Sequence, residues 1–336
     1  MTTETVKLRR RWLKRTIVTL LIIAFIAVSY DLSHSIYVNR SIAEWENNVI
    51  GRDENGVAIG HQAYSVGSGT DAILFIHGLN DSPLCWKYMA PKLGKANYYC
   101  QVMRLPGFAE AVEDYSLKSD ARLWLESISM ELALLRKSHR RVFVIAHSLG
   151  AVLILNHVLE NETSINGLAL LAPALDVPPW AKRKKFIADC IFHFTTAIPA
   201  SGNVPVRDKN EQEIPNRMLF TPLKTIDQLF HLNHHLVERA DEITMPVFVA
   251  VGKFDKNIDV NAVRTFFDNI STLNKEKFVC EQSDHKITVD HDWVELTDKI
   301  EFFSIASSSY ACPKTSCQNN ISHLVTWLRR GGIHSN

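Results

Sequence analysis

The chain alternates two kinds of apolar pattern. Short continuous runs such as Ala72 to Ile76, Val142 to Ile145, Gly167 to Leu171 and Met245 to Val251 predict strands covered on both faces. Gly56 to Val66 alternates as a strand, Tyr98 to Arg104 predicts the next one, and Lys277 to Cys280 the last. Between them lie stretches with helical spacing. Pro83 to Leu93 carries its proline near the first turn. Ser119 to Lys137 has apolar positions at Leu123, Leu125, Ile128, Leu132 and Leu135. Leu149 to Glu160, Asp259 to Asn269 and Trp293 to Phe303 complete the set. Strand and helix in alternation predict an α/β fold: a mostly parallel central sheet with helices on both faces.

Two segments break this rhythm. From Asp176 to Ile243 the chain holds six prolines and many aromatics, among them Trp180, Phe186, Phe192, Phe194, Phe220 and Phe230, with one main helix expected over Leu223 to Arg239. It reads as a helical cap inserted over a site; surface helices around a small core of their own are the alternative. Within it, Lys182 to Lys185 is a basic run that reads as a solvated face, with contact to anionic lipid headgroups as the other use of such charge. The second break is the N-terminus. Arg9, Arg10, Arg11, Lys14 and Arg15 precede the uncharged run Thr16 to Tyr30, which Asp31 ends. Basic residues before an apolar stretch keep the N-terminus cytoplasmic and send the rest across. The run is short of the about 20 residues of a full span, but Trp12 and Leu13 extend it and arginines snorkel. An uncleaved signal anchor is expected. A signal peptide cleaved near Ala27-Val28-Ser29 is the rival.

The expected organisation is a basic segment and anchor over 1–31, a polar, partly helical connector over 32–55, the α/β body over 56–304 with its cap at about 176–243, and an extension over 305–336 containing a short helix, Ile321 to Arg330. Net charge is +1, so nothing global points to nucleic acid. The 336 residues contain no zinc-spaced Cys/His cluster, P-loop or dinucleotide-binding glycine motif, and no cofactor or metal is expected. Six cysteines suit an exported chain; Cys312 and Cys317 are close enough for a local disulfide. Asn161, Asn269 and Asn320 open formal glycosylation sequons. Oligomeric state is not written in the sequence.

The chemistry centres on Ala146-His147-Ser148-Leu149-Gly150, between a predicted strand and a predicted helix. A sharp turn there lifts a serine hydroxyl above the sheet, and small neighbours let strand and helix pass closely. A serine that merely caps a helix is the ordinary alternative. Upstream, a strand ends in His77-Gly78-Leu79. The N–H groups of Leu79 and Leu149 are candidates for an oxyanion hole. Downstream, Asp255 and His285 each follow a predicted strand. The order Ser148, Asp255, His285 is the order of a nucleophile–acid–base triad in this kind of sheet. His285 is the candidate base and Asp255 its orienting acid; Asp176 and His291 are the alternatives for these two roles.

These residues resemble the α/β-hydrolase superfamily over about Gly56 to Ser304. The likeness is nearest to bacterial carboxylesterases and monoacylglycerol lipases. It rests on His77-Gly78-Leu79, on Thr221-Pro222-Leu223-Lys224-Thr225 leading to Met245-Pro246-Val247 and Asp255, and on Ser283-Asp284-His285-Lys286-Ile287-Thr288-Val289-Asp290. Ala146 and Asp284 stand where glycine is usual. The resemblance implies a serine hydrolase acting on carboxylic esters, with an acyl chain under the cap; the N-terminal segment lies outside it, and the membrane contact expected there rests on its own basic and apolar pattern. Acyl transfer or amide hydrolysis would use the same triad. A non-catalytic binding protein on the same body is the alternative of another class.

Overall fold

Among the described residues seven strands form one sheet, whose inner strands have apolar sequences with no polar face to turn toward water. The computed structural model describes residues 3–48, 51–161, 165–200, 204–214 and 217–310. In chain order it begins with α1 (Thr3–Asn47), β1 (Tyr64–Val66), β2 (Asp71–Ile76), α2 (Met89–Lys95), β3 (Tyr98–Val102), α3 (Val112–Leu117) and α4 (Ala121–Ser138). Then come β4 (Arg141–His147), α5 (Leu149–Glu160), β5 (Gly167–Leu171), α6 (Pro179–Ile191), β6 (Ala197–Pro199), β7 (Phe220–Pro222) and α7 (Leu223–Leu232). The described chain closes with β8 (Val247–Gly252), α8 (Val260–Asn269), β9 (Lys275–Cys280) and α9 (Trp293–Tyr310).

The main sheet runs β1-β3-β2-β4-β5-β8-β9. Only the β1–β3 pair is antiparallel; the others are parallel. Every residue of β2 and β5 is buried, as their unbroken apolar runs require of strands covered on both faces. The edge strand β9 exposes part of itself and carries Lys275, Glu276 and Lys277, charges that discourage edge-to-edge pairing. Helix α2 packs on α9, and α5 packs on α4 and α7. Strand β4 lies at the centre, in register with β2 from Asp71↔Arg141 to Ile76↔Ala146. Its C-terminal end therefore meets the end of β2 and the start of α5, where the polar groups converge.

Several elements differ from their sequence reading. In α4 the buried residues are Trp124, Ile128, Leu132 and Leu135, while Leu123 faces water. Trp124 takes the core face in place of Leu123, while the rest of the expected stripe, Ile128, Leu132 and Leu135, is buried and Leu125 packs against the core. Asp120 caps this helix by accepting from the N–H groups of Arg122 and Leu123. Helix α7 ends at Leu232, short of Arg239, and of the Gly56 to Val66 stretch only Tyr64–Val66 pairs as a strand. Between β5 and β8 the chain adds α6, the two-stranded β6–β7 pair and α7.

The largest difference is α1. The stretch read as a polar connector is mostly a continuation of one 45-residue helix. Its polar residues are there to meet the body. Asp31 is buried and accepts from the N–H groups of His193, Phe194 and Thr195 at 2.6, 2.8 and 3.1 Å. Val38 packs with Val112, Ala197 and Phe220, and Glu46 accepts from the N–H of Val112 at 2.7 Å. Cys85, Cys100 and Cys280 are buried free thiols and Cys190 is an exposed one. Cys312, Cys317, the helix expected over Ile321 to Arg330 and the Asn320 sequon lie outside the described residues.

Candidate active site

Ser148 sits between β4 and α5 with φ 52° and ψ −113°, a backbone that side-chain-bearing residues rarely adopt. The turn is held from below: Ser148 N–H donates to the carbonyl of Leu171 at 2.9 Å. Two glycines make room for it. A Cβ on Gly150 would lie 2.5 Å from the carbonyl oxygen of Ile76, so only glycine lets α5 start against the end of β2. A Cβ on Gly78 would lie 2.9 Å from the Cβ of Ser148. Ala146, in place of the usual elbow glycine, is fully buried, and its methyl group is accommodated.

The structure brings Ser148, His285 and Asp255 together from three strand ends. His285 Nε2 lies 3.0 Å from Ser148 Oγ, and His285 Nδ1 lies 2.7 Å from Asp255 Oδ2. A carboxylate only accepts, so Nδ1–H donates to Asp255 and Nε2 is left to accept from the serine hydroxyl. Asp255 also accepts from the N–H of Asn257 at 2.8 Å. Burial works to raise its pKa, but the His285 charge and these hydrogen bonds outweigh it and hold the acid below its ordinary value. For His285 burial works against the imidazolium; Asp255 and then Asp284 outweigh that and hold it above its ordinary 6.5. The alternatives are placed elsewhere: Asp176 pairs with Lys182 at 2.6 Å, and the ring of His291 is exposed.

Leu149 is the first residue of α5, and its N–H is one of the helix-start donors with no partner inside the helix. Leu79 follows Gly78, whose Cα borders Ser148. Both amides thus belong to backbone that flanks the serine. Just beyond, Asn80 takes a left-handed φ of 52°. Its side chain accepts from Tyr115 Oη at 3.2 Å and donates to Thr221 Oγ1 of β7 at 2.5 Å, tying this loop to the inserted segment.

Four supporting residues, Asp290, Lys286, Asp81 and His147, were not given these roles in the sequence reading. Asp290 is fully buried and accepts from four N–H groups, those of Arg207, Asp208, Asp284 and His291, at 2.8 to 2.9 Å. It ties the His285 loop to the inserted segment. Its place in the quoted motif was the available clue. Lys286 and Asp81 form a buried ion pair at 3.0 Å, connecting the same loop to the one after Gly78. His147 is buried beside His285, where burial, and then the His285 charge, push its pKa down to about 3. Among the described residues no group of three or more His, Cys, Asp or Glu is placed to hold a metal.

The arrangement can deprotonate Ser148 as it attacks an electrophilic carbon and can return the proton to a leaving group. A family model described as serine aminopeptidase, S33, matches residues 68–292. The thermostable monoacylglycerol lipase of Bacillus sp. (strain H-257) is 23% identical over 249 residues, covering 74% of this chain and 96% of that one. Among solved structures, one from work on the metagenome-derived lipolytic enzymes LipS and LipT superimposes with a TM-score of 0.67 at 18% identity, over 74% of this chain and 99% of its own. The monoacylglycerol lipase of Paleococcus ferrophilus gives 0.62 at 17% identity, over 73% and 99%. At these identities the structural likeness speaks for the fold. With the family match covering six of the sheet's seven strands, β2 to β9, and all three strand-end residues, the chain belongs to the serine aminopeptidase S33 family of α/β-hydrolases.

Proposed function

We propose that the protein is a membrane-anchored serine hydrolase that cleaves lipid-type carboxylic esters through an acyl-enzyme on Ser148. The observation that carries this is the relay of Ser148 Oγ, His285 and Asp255 at 3.0 and 2.7 Å. Ser148 Oγ attacks the ester carbonyl carbon while His285 takes its proton. The N–H groups of Leu79 and Leu149 receive the oxyanion. Collapse expels the alcohol, which leaves with the proton from His285. Water then attacks the acyl-enzyme, again deprotonated by His285, and the carboxylic acid departs. The names of the relatives favour monoacylglycerols as substrates. Ser148 and His285 are only 6% and 8% exposed, and the inserted segment over 176–243 is tied to the loops beside them through Asn80–Thr221 and Asp290, which suits a cap over the site.

The N-terminal part of α1 supports anchoring. Its most apolar window has mean hydropathy 2.0, and only 6% of that window is buried against the body, unlike the core helix of a water-soluble protein. The basic residues between Arg9 and Arg15 support a cytoplasmic N-terminus with the catalytic body on the exported side.

Fluorophosphonate labelling of the full chain and of Ser148→Ala tests the catalytic reading. Labelling of the wild type that is lost in the variant is expected. A folded wild type that stays unlabelled, or a variant that still labels, overturns it. A chain-length series of monoacylglycerols, run beside aminoacyl-arylamides, then tests ester against amide.

A further inference from the structure

Helix α6 has no buried residue along its 13 positions. It exposes Trp180, Phe186 and Ile187 together with a basic run, and Phe194 follows in the open. Lys182 is matched by Asp176, and Lys185 by Asp189 and Asp227. Among the described residues Arg183 and Lys184 form no ion pair, and Lys184 lies over the Trp180 ring at 5.0 Å. Exposed Trp180 and Ile187 thus share a helix face with the unmatched cations Arg183 and Lys184, and such a mixture of aromatic, aliphatic and basic side chains suits a helix that lies in a membrane interface.

The depth of this helix follows from α1. Tyr30 is the last residue of the apolar run, and His34 lies one turn beyond it, about 6 Å at 1.5 Å per residue. A headgroup layer is roughly 5–8 Å thick on each side of the hydrocarbon. The Phe192 ring stacks on both Tyr30 and His34, with centroids 6.4 and 4.8 Å apart. Asp31 holds the next three amides, and Ser35 Oγ donates to the carbonyl of Phe194 at 3.0 Å. The C-terminal end of α6 is thus fixed to the point where α1 leaves the body.

We propose that α6 is a bilayer-contact surface for anionic lipid, set at headgroup depth by the Asp31 clamp, so that the cap rather than the sheet faces the membrane. This rests on the anchoring reading given above. The family match starts at residue 68, so it includes α6 but not α1, and the Asp31 clamp lies outside it.

The test uses the full chain in vesicles of phosphatidylcholine with phosphatidylglycerol. Cys190, Cys312 and Cys317 are changed to serine, and an environment-sensitive nitrobenzoxadiazole probe is placed at Phe186→Cys or, for comparison, at the fully exposed Leu273→Cys. A blue-shifted emission at 186, quenched at least twofold more than at 273 by lipids spin-labelled near the headgroup, is expected. A chain that floats with the vesicles while the probe at 186 behaves as at 273 overturns this inference and leaves the anchoring intact. A chain that does not float overturns the anchoring and this inference with it.

Asp31→Ala tests the clamp. Quenching at 186 is expected to fall at least twofold with flotation and Ser148 labelling retained; unchanged quenching overturns the clamp. If the alanine variant does not label, Asp31→Asn, which keeps one acceptor, replaces it under the same criteria. Arg183→Gln with Lys184→Gln is expected to reduce quenching more in anionic than in zwitterionic vesicles. Equal quenching in both overturns the preference for anionic lipid.

Discussion

His147 Nε2 lies 3.0 Å from the main-chain carbonyl oxygen of His285. Because a carbonyl only accepts, the ring donates through Nε2–H, and its Nδ1 carries no proton. The residue before the serine therefore grips the backbone of the residue that is to deprotonate the serine. The two rings also pack, with centroids 5.0 Å apart. Full burial keeps His147 neutral, so this grip does not loosen near neutral pH.

Removing the grip should slow acylation without abolishing it. His147→Ala loses one buried hydrogen bond of about 1 kcal/mol, which corresponds to roughly five- to tenfold in kcat. The fluorophosphonate labelling rate should fall by a similar factor. A variant that labels at the wild-type rate would show that the His285 loop is positioned without it.

Asp284 should set the acidic limb of the pH profile. His285 has to be neutral to accept the proton from Ser148, so kcat/KM rises with pH through a midpoint above 6.5. Burial lowers that midpoint, and Asp255 and Asp284 raise it. Asp284→Asn removes one raising charge but keeps the oxygen that accepts from the His285 N–H at 2.7 Å. The limb should move to lower pH, increasing relative activity at pH values below the wild-type midpoint. Superimposable profiles for the two proteins would count against an electrostatic role for Asp284.

The Asn80–Thr221 bond should couple the oxyanion loop to the inserted segment. Asn80→Ala and Thr221→Val each remove it and should lower kcat/KM by about tenfold, ~1.4 kcal/mol. Asn80→Ala also removes the acceptor for Tyr115 Oη, so the double variant should lose little more than Asn80→Ala alone, Thr221→Val having no further effect once Asn80 is gone. Full additivity, measured in that double-mutant cycle, would show that the two residues act separately.

Gly150→Ala should damage the fold rather than the chemistry. The added methyl group would sit 2.5 Å from one backbone oxygen and 2.7 Å from the next, those of Ile76 and His77. Overpacking of this kind costs about 1–3 kcal/mol, and backbone atoms have little room to yield. A lowered denaturation midpoint in urea is expected. A midpoint equal to that of the wild type would mean that α5 shifts away freely.

The strands and the Ser148, Asp255, His285 set were legible because each leaves a local trace. An unbroken apolar run marks a strand covered twice, and a small-residue turn after it marks the elbow. The mostly parallel sheet read from that rhythm is the one observed, and the α/β-hydrolase resemblance read from the motifs agrees with the family match. The contacts around the site were less legible because they join distant parts of the chain. Nothing near Asn80 announces Thr221, and nothing near Asp290 announces Arg207. Helix α1 was misjudged for the same reason. The polar residues after Asp31 read as a linker, yet Asp31, Ser35 and Glu46 find partners 66 to 164 positions away.

The docked half of α1 also decides where the protein can be cut. A boundary taken from the family match would begin at residue 68 and discard the whole helix. It would strip the acceptor from the amides of His193, Phe194 and Thr195 and bare the patch that Val38 covers on Val112, Ala197 and Phe220. A secreted form of the enzyme should instead keep Asp31 and everything after it. The piece that folds by itself and the piece that is recognisable by ancestry therefore begin at different residues.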